Sequence, residues 1–260
     1  LIDPKLSIAQ NIDNLCFLPK GTLRKEYDEL YSALFKNVDA YTSIVRLLYE
    51  HKQGLTKKEI ANKTTLNGQR LNTVLNNLEE CDFIAKRSIF GKRHSVIYRL
   101  VDFYTLFYYK FIEGNDTLDD SWFSHNLNSR SVTSWMGLTF ELICMQHHLQ
   151  IKKALGISGV ATSVYTWKCD STEEYKGAQI DMLIERADRM IHLCEMKYSQ
   201  STYNIDKDYA MKLRERMGIF NFVTKNKKGL LHTFVTTFGL GEGKHTSLVH
   251  SEVTLDDLFK

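Results

Sequence analysis

The chain has 260 residues, is 43% hydrophobic and 25% charged, and carries a net charge of +3 with five cysteines. That apolar content excludes a disordered chain, and no apolar run approaches the roughly 20 residues of a membrane helix, so no membrane association is expected. The small net charge does not identify a nucleic-acid binder by itself; Cys16, Cys81, Cys144, Cys169 and Cys194, odd in number and without a C-x-x-C pair, predict neither a disulfide framework nor a zinc ribbon and place the protein in the cytoplasm.

Residues 1–36 show apolar positions at helical spacing (Leu6, Ile8, Ile12, Leu15, then Leu23, Tyr27, Leu30, Tyr31, Leu34), interrupted at Pro19-Lys-Gly21. The start, Leu1-Ile-Asp-Pro, has neither a signal-peptide head nor an initiator Met, so the chain is expected to be a piece of a longer protein. Two short helices here read either as the tail of a preceding domain or as N-terminal helices packing on the next segment of the chain.

Residues 37–100 predict a helix with Ile44, Leu47 and Leu48, a second helix opened by the capping box Thr56-Lys-Lys-Glu59, and a third with Leu71, Val74, Leu75 and Leu78 on one face. From Ile84 to Leu100 come a strand, a turn containing Gly91 and a second strand. That order resembles a winged helix, a fold whose third helix usually enters the DNA major groove while the hairpin touches the backbone. Basic residues outnumber acidic ones here by eleven to six, so Arg70, Lys86, Arg87, Lys92 and Arg93 are the expected DNA contacts. The alternative is a spacer between proteins.

Residues 101–125 form an expected linker: an aromatic helix from Asp102 to Ile112, then the polar run Glu113–Asp120. The aromatics read as a buried bridge between domains, each ring burying about 150–250 Å², in preference to a platform for single-stranded bases.

Residues 126–260 predict a helix over Trp135–Lys153 that includes Glu141, a strand over Ser163–Lys168, a strand pair on either side of Glu185–Arg189, and a basic helix over Tyr203–Phe222. A strand over Leu230–Phe238 and a last strand-like piece near Leu248-Val249 complete the chain. Helices and strands in that order imply an α+β or α/β domain with a central mixed sheet. The strand pair carries ionisable groups where apolar ones belong. Glu195 and Lys197 share a face by alternation, and a turn near Ala187 or Asp188 sets Asp181 opposite Leu193 or Glu195, gathering all three on one face. A salt bridge at a strand end is the plainer explanation of Glu195 and Lys197. Cys144, His147 and His148 lie on one helix, but packing is favoured over zinc there because no partner pair is visible. Gly239–Thr246 is rejected as a nucleotide loop, because His245 stands where a Ser or Thr must hold Mg²⁺ and Phe238 where the first Gly belongs.

Asp181 followed fourteen positions later by Glu195, with Met196-Lys197 and an upstream helix bearing Glu141, resembles the PD-(D/E)xK nuclease superfamily. More closely, Gly156–Val160, Trp167, Gly177-Ala-Gln-Ile-Asp181, Cys194-Glu-Met-Lys197 and Val253–Phe259 resemble the C-terminal module of a family of bacterial and archaeal AAA-type ATPases. In that family a P-loop ATPase precedes a winged helix and a restriction-endonuclease-like domain. The resemblance implies that residues 1–36 end the ATPase region and that ATP binds only upstream. It further implies that Asp181, Glu195 and the backbone carbonyl of Met196 hold Mg²⁺ or Mn²⁺. Lys197 then orients or deprotonates the attacking water, and Glu141 acts through the metal or its waters. Ile180 stands where the motif's Pro is usual.

The implied activity is metal-dependent hydrolysis of DNA positioned by the winged helix, with DNA and the upstream ATPase domain as partners. The alternative is a catalytically inactive DNA-binding or protein-interaction module of the ATPase, one form of which is an oligomerisation arm that builds a homo-oligomer.

Overall fold

The computed structural model describes residues 1–117 and 119–260 as an α+β protein with ten α-helices and two sheets among them. The chain divides into two compact units, each drawn from two stretches: Leu1–Lys86 with Val96–Trp135, and Arg87–Ser95 with Met136–Lys260. No helix among the described residues is long and apolar enough to cross a membrane.

The first unit opens with α1 (Ile8–Ile12), a wide turn over Asp13–Phe17 and α2 (Glu26–Leu34). Then come α3 (Val38–Glu50), β1 (Leu55–Thr56), α4 (Lys57–Lys63), α5 (Gly68–Glu80), β2 (Ile84–Ser88) and β3 (Val96–Leu100), the strands ordered β1-β3-β2. The Thr56–Glu59 capping box forms in both directions and fixes the start of α4. Ile44 and Leu48 of α3 and Leu71, Val74, Leu75 and Leu78 of α5 are buried as their spacing predicts, whereas Leu47 is only half-buried and Val45 is buried instead. β1, two residues long, has no periodicity to betray it. It pairs Leu55 with Tyr98 and depends on Gly54, whose φ is +86° and where a Cβ would lie 2.7 Å from the Tyr98 carbonyl oxygen.

The aromatic run expected as a linker lies within this first unit, as α6 (Phe103–Phe107) and a wide turn over Tyr108–Ile112, followed by α7 (Trp122–Asn126). Tyr108 stacks on Tyr27 at 4.2 Å, and Phe107 and Phe111 pack on Phe123. Asp13, buried, accepts from the backbone N–H groups of Phe123 and Ser124 at 2.7 and 3.1 Å, so its charge is satisfied at the start of α7.

The second unit takes α8 (Arg130–Gln146) from Met136 onward, α9 (His148–Ala154), β4 (Thr162–Cys169), β5 (Ala178–Arg186), β6 (Met190–Lys197), α10 (Lys207–Thr224), β7 (Gly229–Thr236) and β8 (Ser251–Thr254). Its five-stranded sheet has sequential order: β4, β5 and β6 antiparallel, β6, β7 and β8 parallel. Phe140, Cys144, Met145 and Ile151 of α8 and α9 cover one face with Met182, Ile184, Cys194, Met196, Val235 and Val253. Phe220 of α10 covers the other with Trp167, Ile180, Leu183, Ile191 and Leu193. Both faces of the central strands are therefore apolar.

Several boundaries differ from expectation. The helix expected over Trp135–Lys153 breaks at His147 into α8 and α9. α10 starts at Lys207, not Tyr203, because the Asp206 carboxylate caps it by accepting from Tyr209 N–H at 2.7 Å, while Tyr203 bridges to Leu240. The last strand is Ser251–Thr254. Leu248 ends a short 3₁₀ turn, and Val249 N–H donates to the Thr246 carbonyl.

Candidate functional site

β6 alternates so that Glu195 and Lys197 lie on the α10 face with Leu193, and Lys197 Nζ is 2.9 Å from Glu195 Oε1. Helix α10 completes the cluster. Tyr209 and Arg216, seven residues and two turns apart, share a helix face; the Tyr209 hydroxyl donates to Oε1 and Arg216 Nη1 to Oε2. Lys197 Nζ also lies 4.8 Å from the Tyr209 ring centroid. The Glu195 side chain is 13% exposed, those of Lys197 and Arg216 28%. Burial pushes the Glu195 carboxyl up, but Lys197, Arg216 and the Tyr209 hydroxyl outweigh it and hold the group below the usual carboxylate range. Burial and the Glu195 charge both push the Tyr209 phenol up, so it donates as a neutral hydroxyl.

Beneath Glu195 is a cavity of about 10 Å³ lined by Ile180, Leu193, Leu213, Arg216, Met217 and His232. That is close to the room one water needs, and His232 Nε2, buried, makes no hydrogen bond with any described residue. Burial lowers the His232 pKa below the usual imidazole value. His192, on the other face, is a structural residue: its Nδ1 lies 2.8 Å from Thr233 Oγ1, its Nε2 3.2 Å from Arg186, and burial with the Arg186 charge takes its pKa to about 4.

Asp181 does not join this face. The β5–β6 ladder pairs Leu183 with Leu193 and Met182 with Cys194, a register that carried one step further would set Asp181 against Glu195. Against β4, however, Tyr165 pairs with Leu183 and Trp167 with Ile180: three β5 intervals oppose two, a β-bulge. The bulge puts both Ile180 and Leu183 on the α10 face, and Asp181, next to Ile180, alternates away from it with Met182. Its Oδ1 accepts from Gln179 Nε2 at 2.6 Å. Glu141 lies on α8, the helix that packs through Phe140 and Cys144 on the Met182 face, and the Met196 side chain is buried in that same cluster.

The expected gathering of Asp181, Glu195 and Lys197 is therefore realised only for Glu195 and Lys197, with Tyr209 and Arg216 added. As placed, these residues do not fit a divalent ion: both Glu195 oxygens accept from Lys197, Tyr209 or Arg216, and Asp181 leaves the face at the bulge. Among the described residues, no three His, Cys, Asp or Glu side chains group closely enough to hold a metal. Cys144 is fully buried in the core, and His148 Nδ1 lies 3.2 Å from the Met145 carbonyl oxygen.

Beside the cluster, a cleft of about 260 Å³ is lined by Lys176, Gly177, Gln179, Lys212, Glu215 and Arg216. Three cations face one carboxylate there, Glu215, which lies 3.2 Å from Lys176. This cleft was not anticipated, although Lys212 and Arg216, four apart on one helix, were signal enough. Of the residues expected to touch DNA, Arg70 on α5 and Lys92 and Arg93 at the hairpin turn are exposed, and Arg87 is half-buried. Lys86 is engaged: it pairs with Glu79 and lies 5.8 Å over the Tyr98 ring.

Comparison with protein families, with curated proteins and with solved structures finds no match.

Proposed function

We propose that this chain is a nucleic-acid-binding module, a winged helix in the first unit and a nuclease-like sheet domain in the second, carried by an AAA-type ATPase, and that the cleft beside Glu195 receives DNA phosphate. The carrying observation is the cleft lined by Lys176, Lys212 and Arg216. Its cations are at hand for a backbone phosphate, and Arg216, which gives Glu195 a single Nη1 donor, has further guanidinium N–H groups to offer a phosphate oxygen. The domain assignments rest on the order α8, β4, β5, β6, α10, β7 and on the helices and strands of residues 37–100.

Binding of a labelled duplex followed across a salt series tests this reading. Changing Lys212 and Lys176 to Ala together is expected to weaken binding and to reduce the slope of log K against log salt by about 1–2. An unchanged slope with a well-folded double variant rejects the cleft as the phosphate site.

A second reading, metal-dependent hydrolysis of DNA, is favoured by Glu195 and Lys197 standing two apart on a buried strand of this sheet. It requires Asp181 to come round to the Glu195 face and Arg216 to withdraw. Mn²⁺ titration by calorimetry together with a panel of branched, single-stranded and duplex DNA decides it: cleavage lost in Asp181→Ala and in Lys197→Ala supports it, and neither binding nor cleavage rejects it.

A further inference from the structure

The β5 bulge separates Asp181 from the Glu195 face, and the β2–β3 hairpin tip lies across β4 from that bulge. Residues Arg87–Ser95, the tip of the β2–β3 hairpin, belong to the second unit. Ile89 bridges to Thr166 in parallel, and Phe90 N–H donates to the Thr166 carbonyl at 2.9 Å. The Phe90 ring packs edge-on to Tyr165 at 5.5 Å and against Phe220 at 5.2 Å. Thr166 is the β4 residue between Tyr165 and Trp167, the two partners that flank the bulge, and its hydroxyl donates to the Ile180 carbonyl at 3.3 Å. The tip therefore grips β4 at the one residue that faces the extra β5 residue. Lys92, Arg93 and His94 stand exposed at the turn beyond Phe90, with Gly91 and His94 at positive φ.

We propose that Phe90 is a positioning residue for Asp181: seated between Tyr165 and Phe220, it holds Thr166 against the bulge and so keeps Asp181 off the Glu195 face. Without that seat the β4–β5 ladder can take up the unbulged register that the β5–β6 ladder already follows, which brings Asp181 opposite Glu195. A one-residue change of register moves a side chain to the other face of a strand, so a small displacement of the tip is enough. The proposal rests on the second reading only where it concerns ion binding; the placement of Asp181 stands apart from it.

The test uses the whole chain as wild type, Phe90→Ala and Phe90→Leu. Hydrogen exchange is measured on peptides covering 178–186 and, as a control, 190–197. Phe90→Ala is expected to raise exchange at 178–183 by about tenfold or more with little change at 190–197, and Phe90→Leu, which refills the seat, to restore protection. With Arg216→Ala present throughout to free Glu195 Oε2, Mn²⁺ affinity by calorimetry is expected to be about tenfold higher with Phe90→Ala than without it, and that gain to vanish when Asp181→Asn is added. Unchanged exchange at 178–183, an equal rise in both peptides, or a Mn²⁺ gain that survives Asp181→Asn overturns the proposal. If no variant binds Mn²⁺, the ion reading falls, and the exchange result alone upholds or overturns the role of Phe90.

Discussion

At the scale of single residues, Glu195 decides the chemistry of the site, because a carboxylate this buried persists as an anion only with cations against it. Lys197 and Arg216 supply them, and the Tyr209 hydroxyl satisfies a further lone pair. Glu195→Gln keeps the shape and removes the charge, leaving two cations facing each other. A loss of about 3 kcal/mol is expected in urea unfolding at neutral pH. Because the folded-state pKa of Glu195 is depressed, its contribution to stability is complete above the unfolded carboxylate value near about 4.3 and is lost as pH falls through the lower folded value. Unfolding measured between pH 7 and pH 3 is therefore expected to show a shallower acid loss in Glu195→Gln than in the wild type. The pairing of Glu195 with Lys197 was legible from alternation along one strand. Arg216 and Tyr209 were not assigned to it, since which face of α10 meets the sheet depends on where that helix packs.

At the scale of elements, local chemistry set most boundaries and pairing between elements set the exceptions. The Thr56–Glu59 box and the apolar stripes of α3 and α5 were readable because their cause lies within a few residues. The start of α10 was misplaced because Tyr203 continues the helical spacing, whereas the Asp206 cap ends it. Asp206→Ala is expected to cost about 1 kcal/mol and to fray the turn carrying Tyr209, which tyrosine fluorescence or exchange at 206–210 would report. The β5 bulge was unreadable for a different reason. Residues 178–186 alternate acceptably in either register, and only the pairing with β4 at Tyr165 and Trp167 inserts the extra residue.

At the scale of the whole molecule, neither unit is continuous in the chain, so contiguous domain boundaries at 37–100 and 126–260 divide it differently from the packing. The hairpin tip leaves its own strands' unit in the sequence and supplies Phe90 to the aromatic cluster of the other. A fragment of residues 136–260 lacks that ring and leaves Tyr165 and Phe220 uncovered. It is expected to be about 2 kcal/mol less stable than the same unit in the full chain, a shift of about 1 M in the urea midpoint. Trp167 is the single tryptophan of the fragment and lies edge-on to Phe220 at 5.0 Å, so its emission tracks the loss; equal midpoints reject the assignment of the tip to this unit.

The sequence by itself determined what short-range periodicity and capping can encode: the α+β character, the helices of residues 37–80, the strand pair around Glu185–Arg189, and the shared face of Glu195 and Lys197. Only the tertiary structure decided that Asp181 leaves that face, that Arg216 and Tyr209 close on Glu195, and that the hairpin tip sits on Thr166. The physical reason is the same in each case. A side chain's face is set by its neighbours two to four residues away, but the register of a strand and the facing of a helix are fixed by partners far along the chain.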